Sequence, residues 1–434
     1  MTVWARHDNL EFLSRDEIRS IQNGLLRKHL RYAAVSSPYY GGLFRESGID
    51  PDGITPETLA AVPLTDKTLL AERHDDFLAV PLSRIVDIVL SSGTTGQSTA
   101  VMYTESDLQR LTYNEEISFA ACGLTADDIV LLTCTMDRCF IAGLAYFSGV
   151  RSLGAAAVRN GLSSVESHFD IIRRLRPTAV IGVPTFLLRL GEYLVSQGVD
   201  PARTGIRKLI CIGEPIRGRD FSLLRIGESL ESLWGAGLYS TYASSETITS
   251  FCECTARNGG HLHPDLAVVE IVDERGAVLP PGSVGEVIMT PLAIEGMPLV
   301  RFRTGDMSFV IDEPCGCGRN SLRLGPILGR KQQMIKFRGT TLYPDAIYSV
   351  LDAIPAISSY YVTVSSDYDL SDLVTIAVAV RDDSCSAEAV KERLQAVLRV
   401  MPDVIFVTEE QVKLQHLAGN SRKINRFVDM RKNI

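Results

Sequence analysis

Ile85-Val-Asp-Ile-Val-Leu90 runs straight into Ser91-Ser92-Gly93-Thr94-Thr95-Gly96. The first six residues form a mostly apolar run of strand length, and the Ser/Gly/Thr cluster bounds it. Two glycines permit a tight loop whose backbone N–H groups converge, and four hydroxyls add donors, so the loop suits phosphate oxygens. The spacing is not G-x-x-x-x-G-K-[ST], so this is no Walker A loop. A polar surface turn is the plain alternative at this point.

Downstream of the loop, strand-like runs at 129–133, 155–158, 179–181 and 208–212 alternate with helix-like stretches at 165–175 and 184–197. That alternation predicts α/β layering with at least partly parallel sheets. Upstream, residues 16–75 read as helical and loop-rich, with Leu25, Leu26, Leu30 and Ala33 near helical spacing. From about 266 the texture changes to short strands (267–272, 285–290, 307–311) between Gly/Pro turns, a β-rich subdomain over about 252–328. After Lys331 come a strand, a helix (344–353), strands (359–364 and 374–380), a helix (387–400) and a strand (403–408). The chain therefore reads as a large N-terminal domain, 1–331, and a small α+β domain, 332–434, of a size that folds alone.

The 434 residues are 45% hydrophobic and 22% charged, which excludes a disordered or fibrous chain. A net charge of −8 argues against a general nucleic-acid or anionic-membrane surface. No run reaches the ~18 apolar residues of a membrane span, and the first residues lack a secretory pattern. The nine cysteines are then expected reduced, in a cytoplasmic protein.

Several segments of the chain together resemble the adenylate-forming superfamily of acyl-CoA synthetases, luciferases and adenylation domains, in its phenylacetate-CoA ligase branch. SSGTTGQSTAVMYTESD resembles the phosphate loop, with Thr99 where the superfamily usually carries Lys, a departure that matches the branch. LLRKHLRYAAVSSPYYGGLF and PLTDKTLL resemble the branch's N-terminal segment. Tyr242-Ala-Ser-Ser-Glu246, Phe302-Arg-Thr-Gly-Asp306, Leu328 to Gly339 and SRKINRFVDMR follow in family order.

The resemblance implies an ATP-dependent acid–CoA ligase that forms an acyl-adenylate. Joining a carboxylate to a phosphate sets two negative groups together, so the site must neutralise charge around the α-phosphorus. Ser91, Ser92, Gly93, Thr94, Thr95 and Gly96 would hold the β- and γ-phosphates. Glu246 would hold Mg²⁺, and Ser245 would donate to the α-phosphate. Tyr242 would stack on adenine, bordered by Gly213, Glu214 and Pro215. Asp306 would accept from both ribose hydroxyls and Arg330 would donate nearby. Lys423 would reach the reacting carboxylate when the small domain closes for adenylation, and a second closed state, for thioester formation, would follow by rotation about Gln332, which stands where the family has Asp. Lys336 and Gly339 would line the thiol's tunnel. The plain alternatives are a surface carboxylate at 246, a turn residue at 306 and a solvated basic run around 423.

Cys254-x6-His261 and Cys315-Gly-Cys317-Gly-Arg319 match patterns of some relatives in that branch, and Cys₃His would make a closed structural zinc site. Cys252 and His263 compete as ligands, and four unligated thiols is the alternative. Phe140, Tyr146, Tyr239 and Ala243, with Ala142, Gly143 and Ala145 as small neighbours, predict a pocket for a flat aryl acid. Any one of those aromatics could instead be core. Arylacetate-, benzoate- and anthranilate-like acids are not separated. Transfer to a carrier-protein phosphopantetheine is the second reading and a non-catalytic nucleotide-binding scaffold the third. A homodimer is the branch's expectation.

Overall fold

A computed structural model describes residues 4–91, 99–337, 340–366, 372–381, 385–398, 400–417 and 425–431. The chain divides into two compact units, Met1–Thr304 with Ser308–Ile327, and Gly305–Met307 with Leu328–Ile434.

The first unit opens with α1 (Arg15–Ser36), started by a capping box in which the Ser14 hydroxyl and the Glu17 carboxylate satisfy each other's backbone N–H. Helices α2 (Pro38–Ser47), α3 (Lys67–Glu72) and α4 (His74–Phe77) follow. The apolar run before the Ser/Gly/Thr cluster is β1 (Ile85–Ser91), which forms an antiparallel hairpin with β2 (Thr99–Thr104). It forms its own two-stranded sheet, and Val86, Ile88 and Leu90 on one face stay about half exposed. Thr104 then caps α5 (Glu105–Ala121) in a second capping box with Asp107, which also accepts from the Glu295 and Gly296 amides.

The main sheet is built from β3 (Ile129–Leu132), β4 (Ala156–Arg159), β5 (Ala179–Gly182), β6 (Lys208–Ile212), β7 (Gly237–Ser244) and β8 (Thr249–Cys252). Its order is β4-β3-β5-β6-β7-β8; only β8 runs antiparallel. Side chains alternate between two cores, as the strand period of two requires. Val130, Leu132, Ile181 and Ile210 face α5 and α6 (Ile141–Ser152). Leu131, Val180, Leu209 and Leu238 face α7 (Val165–Leu175), α8 (Pro184–Ser196) and α9 (Arg225–Trp234). Burial on both faces explains why β3, β5 and β6 read as apolar runs.

The β-rich part holds β9 (Gly260–His261), β10 (Ala267–Val272), β11 (Gly285–Pro291), β12 (Phe302–Ser308), β13 (Val310–Ile311) and β14 (Arg323–Leu324). One strand was expected over 307–311; the structure has β12 and β13 instead. The FRTGD run is a strand although polar, because Arg303 pairs with Glu286 at 2.6 Å and Thr304 Oγ1 donates to Val287 O.

The second unit carries β15 (Gly329–Arg330), β16 (Ile335–Phe337), β17 (Thr340–Leu342), α10 (Pro344–Asp352), β18 (Ile357–Ser366), β19 (Asp372–Val380), α11 (Ala387–Leu398), β20 (Asp403–Phe406), α12 (Glu409–Leu417) and β21 (Phe427–Asp429). Its sheet order is β20-β19-β18-β21, and Ile347, Leu351, Val390 and Leu394 from α10 and α11 cover it. No helix among the described residues is long and apolar enough to cross a membrane.

Candidate active site

Between β3 and β5 the strand order reverses, since β3 connects outward to β4 while β5 leads to β6 and β7. Ligands of open α/β sheets bind beyond the C-terminal strand ends at such a switch point. The residues there come from the 133–140 segment after β3, from Val183 after β5, from Gly213 to Pro215 after β6 and from the end of β7.

At the end of β7, Glu246 is 14% exposed and pairs with Lys67, Nζ to Oε1 at 2.8 Å. Ser244 Oγ donates to Oε2 at 3.1 Å. Burial works to raise the Glu246 pKa, but the Lys67 ammonium and these bonds outweigh it and hold the carboxyl below its usual value. Tyr103 on β2 donates its hydroxyl to Ser245 O at 2.8 Å, which ties the hairpin to this corner. Tyr242 is half-buried, and its cross-strand neighbour on β8 is Phe251. Glu214 spends its carboxylate on Thr185, accepting from both N and Oγ1 at the start of α8. Ser91 is buried and its hydroxyl donates to Thr99 O. Ser92, Gly93, Thr94, Thr95 and Gly96 lie outside the described residues.

Of the aromatic pocket residues, Phe140 is 40% exposed at the start of α6, whereas Tyr146 and Tyr239 are buried. The Tyr146 ring lies 6.0 Å from that of Phe119 on α5. Ala243 is exposed on β7. Gly143 differs from its expectation as open space: a Cβ there would sit 2.0 Å from Thr135 O, so its smallness is used by the loop packed against α6.

In the second unit, Asp306 pairs across the strands with Arg330, Oδ1 to Nε at 3.5 Å. Gln332 sits in a short 3-10 turn, where its carbonyl accepts from Arg431 at 3.1 Å; the same guanidinium reaches Met334 O and Asp372. Gly339, Lys423 and the side chain of Lys336 lie outside the described residues.

Cys254, His261, Cys315 and Cys317 converge, their ligand atoms all within 4.8 Å of one another. Cys254 Sγ is 3.5 Å from Cys315 Sγ, and Cys317 Sγ is 3.2 Å from His261 Nε2. His261 Nδ1 lies 2.9 Å from Ser321 Oγ, which leaves Nε2 for the cluster. Cys252 accepts from Thr241 Oγ1, and His263 bonds Ser118 and Glu11, so both competitors are engaged elsewhere. Three thiols and an imidazole at these separations fit a tetrahedral ion.

Lys67 and Arg431 were not singled out from the sequence. Each lies in a family-like segment, PLTDKTLL and SRKINRFVDMR, but neither partner is visible from the segment alone.

The sheet covered on both faces, its switch point and the small α+β unit that follows belong to an adenylate-forming enzyme, a class that the sequence comparisons establish. Residues 55–291 match the AMP-binding enzyme model and residues 339–431 match the AMP-binding enzyme C-terminal domain model. The chain belongs to the AMP-binding enzyme family. It is 31% identical to the phenylacetate-coenzyme A ligase of Thermus thermophilus, over 98% of this chain and 99% of that one. The Escherichia coli phenylacetate-coenzyme A ligase is 25% identical, over 94% of each. A crystal structure of 2-hydroxyisobutyryl-CoA ligase in the postadenylation state shares the fold, with a TM-score of 0.83 at 20% identity, covering 98% of this chain and 94% of that one.

Proposed function

We propose that this protein is an ATP-dependent aryl acid–CoA ligase that works through an acyl-adenylate. The observation that carries the reading is the Lys67–Glu246 pair at the end of β7, inside a chain that aligns end to end with a phenylacetate-coenzyme A ligase. In the first half-reaction a carboxylate oxygen attacks the α-phosphorus of ATP and pyrophosphate leaves. Ser91 to Gly96 hold the β- and γ-phosphates, Ser245 donates to the α-phosphate and Tyr242 with Gly213 to Pro215 frames the adenine. Glu246 holds Mg²⁺, which supplies charge neutralisation when bound. Lys67 keeps Glu246 ionised, because an adjacent ammonium favours the carboxylate.

Asp306 and Arg330 bind the ribose, and Lys423 contacts the reacting carboxylate. The segment at Gln332 is the hinge between domains 1–331 and 332–434, and Arg431 fixes its carbonyl. In the second half-reaction the CoA thiol, guided past Lys336 and Gly339, attacks the acyl carbon and AMP leaves. Phe140, Tyr146, Tyr239 and Ala243 form the acid pocket.

Cys254, His261, Cys315 and Cys317 hold one structural Zn²⁺, pinning β9 to the loop before β14. The donor set and its separations support the assignment.

A panel of aryl acids, assayed for pyrophosphate release with and without CoA, tests the reading. CoA thioester is the expected product; product only with a holo carrier protein would move the acceptor to a phosphopantetheine arm.

A further inference from the structure

Cys315 and Cys317 sit between β13 and β14 on a loop, 312–322, that has neither helix nor strand, and both thiols are only half-buried. Residues 11–15 hold this loop from the far end of the sequence. Asn320 N donates to Glu11 O at 2.7 Å, and Asn320 Nδ2 donates to Leu13 O at 2.9 Å. Arg15 pairs with Asp312, and the Arg319 guanidinium lies 4.9 Å from the centre of the Phe12 ring.

The Glu11 carboxylate is the centre of that contact, and the residue is 7% exposed. Arg319 Nε donates to its Oε2 at 2.9 Å, and Ser321 Oγ donates to its Oε1 at 3.3 Å. His263 Nδ1 lies 3.0 Å from the same Oε1, while its Nε2 lies 3.0 Å from Ser118 Oγ on α5. Ser321 Oγ in turn lies 2.9 Å from His261 Nδ1. A carboxylate beside a guanidinium only accepts, so the Ser321 hydrogen points at Glu11 and a hydroxyl lone pair faces the imidazole. His261 then carries its proton on Nδ1. Its Nε2, 3.2 Å from Cys317 Sγ, keeps the lone pair that a metal ion needs. Glu11 thus fixes the tautomer of one member of the cluster and the position of the loop that carries two others.

We propose that Glu11 is a positioning residue for the metal site, and that residues 4–15 form a strap which the bound ion locks in place. The assignment rests on the zinc reading above and goes beyond it, because the four ligands alone require nothing of the N-terminal segment. Coupling of this kind is reciprocal: if the strap tightens the hold on the ion, the ion tightens the hold on the strap by the same factor.

Two measurements on the full chain test this. In the first, zinc is drawn from the protein by a competing chelator. Glu11→Ala should weaken retention by about 10- to 100-fold, as loss of a group that orients a ligand does. Glu11→Gln, which keeps the volume and one acceptor oxygen, should fall between it and the wild type. Asp8→Ala, on the same segment but bonded only to the exposed Arg6, should change nothing. Because Glu11 and Ser321 act in one relay, Glu11→Ala combined with Ser321→Ala should lose little more than the worse single variant, whereas a general loss of stability would add. In the second, the wild type is treated with trypsin with and without zinc, and the fragments are read by mass. Cuts after Arg6 and Arg15 should appear at least several-fold faster in the stripped protein and should precede cuts elsewhere. Unchanged zinc retention in Glu11→Ala and Glu11→Gln, additive losses in the double variant, or cuts after Arg6 and Arg15 that come no faster without zinc or only together with cuts across the chain, would overturn the strap while leaving the zinc reading intact. Protein that neither carries nor takes up zinc would overturn both.

Discussion

Lys67 Nζ sits 2.8 Å from Glu246 Oε1 across 179 residues of sequence, joining the start of α3 to the end of β7. Lys67 thus places an ammonium beside the Glu246 carboxylate from a distant segment of the chain.

Replacing Lys67 by Met tests that role. The Glu246 pKa is held below its unfolded value, so the pair stabilises the fold above an unfolded-state carboxylate pKa of about 4.3, and the gain is lost as pH falls through the lower folded value. Without the ammonium, burial is opposed only by the Ser244 bond and a backbone bond, and the pKa rises. The acid limb of the pH profile for pyrophosphate release should move to higher pH, with a several-fold loss of rate at acidic pH and a smaller one at alkaline pH. An unshifted limb would show that Lys67 does not set the ionisation of Glu246.

Protein purified without chelator should contain one zinc per chain. Cys254→Ser or Cys315→Ser should abolish it and lower the melting midpoint by on the order of 5 °C. Ser321→Ala removes the bond that orients His261, and should weaken zinc retention against a competing chelator by about 10- to 100-fold. Metal analysis well below one zinc per chain would refute the site.

Asp306→Ala should raise the KM for ATP by about 10- to 100-fold, as removal of charged hydrogen bonds to a ligand does. Asp306→Asn should recover part of the affinity, since its carbonyl still accepts. Steady-state kinetics in ATP, with acid saturating, reads the difference.

The proposed rotation about Gln332 between an adenylating and a thioester-forming state predicts that Lys423→Ala loses most adenylation yet keeps much of thioester formation from preformed acyl-adenylate. Single-turnover assays of the two half-reactions check this. Equal losses in both would contradict the two-state assignment.

Residues 208–212 and 179–182 were legible as strands because burial on both faces leaves no polar interruption. Helix α5 was not, since Asp107, Arg110, Asn114, Glu115 and Ser118 are polar yet buried, and they erase the apolar period that marks a helix face. Ile85 to Leu90 was legible as a strand, but not as an isolated hairpin with one face in water. At the cysteine cluster the spacing brought out the right residue types. The family pattern already selected Cys254, and the ladder gives the reason Cys252 stands aside, since it opposes Thr241 on β7. The Lys67 pairing was illegible because no local pattern encodes a contact between segments so far apart.

The central claim is tested most directly by following oxygen. An aryl acid labelled with ¹⁸O in its carboxylate, turned over with ATP and CoA, should place one labelled oxygen in the phosphate of AMP, alongside equal amounts of pyrophosphate and thioester. Unlabelled AMP, or label in inorganic phosphate with ADP as co-product, would contradict activation through an acyl-adenylate.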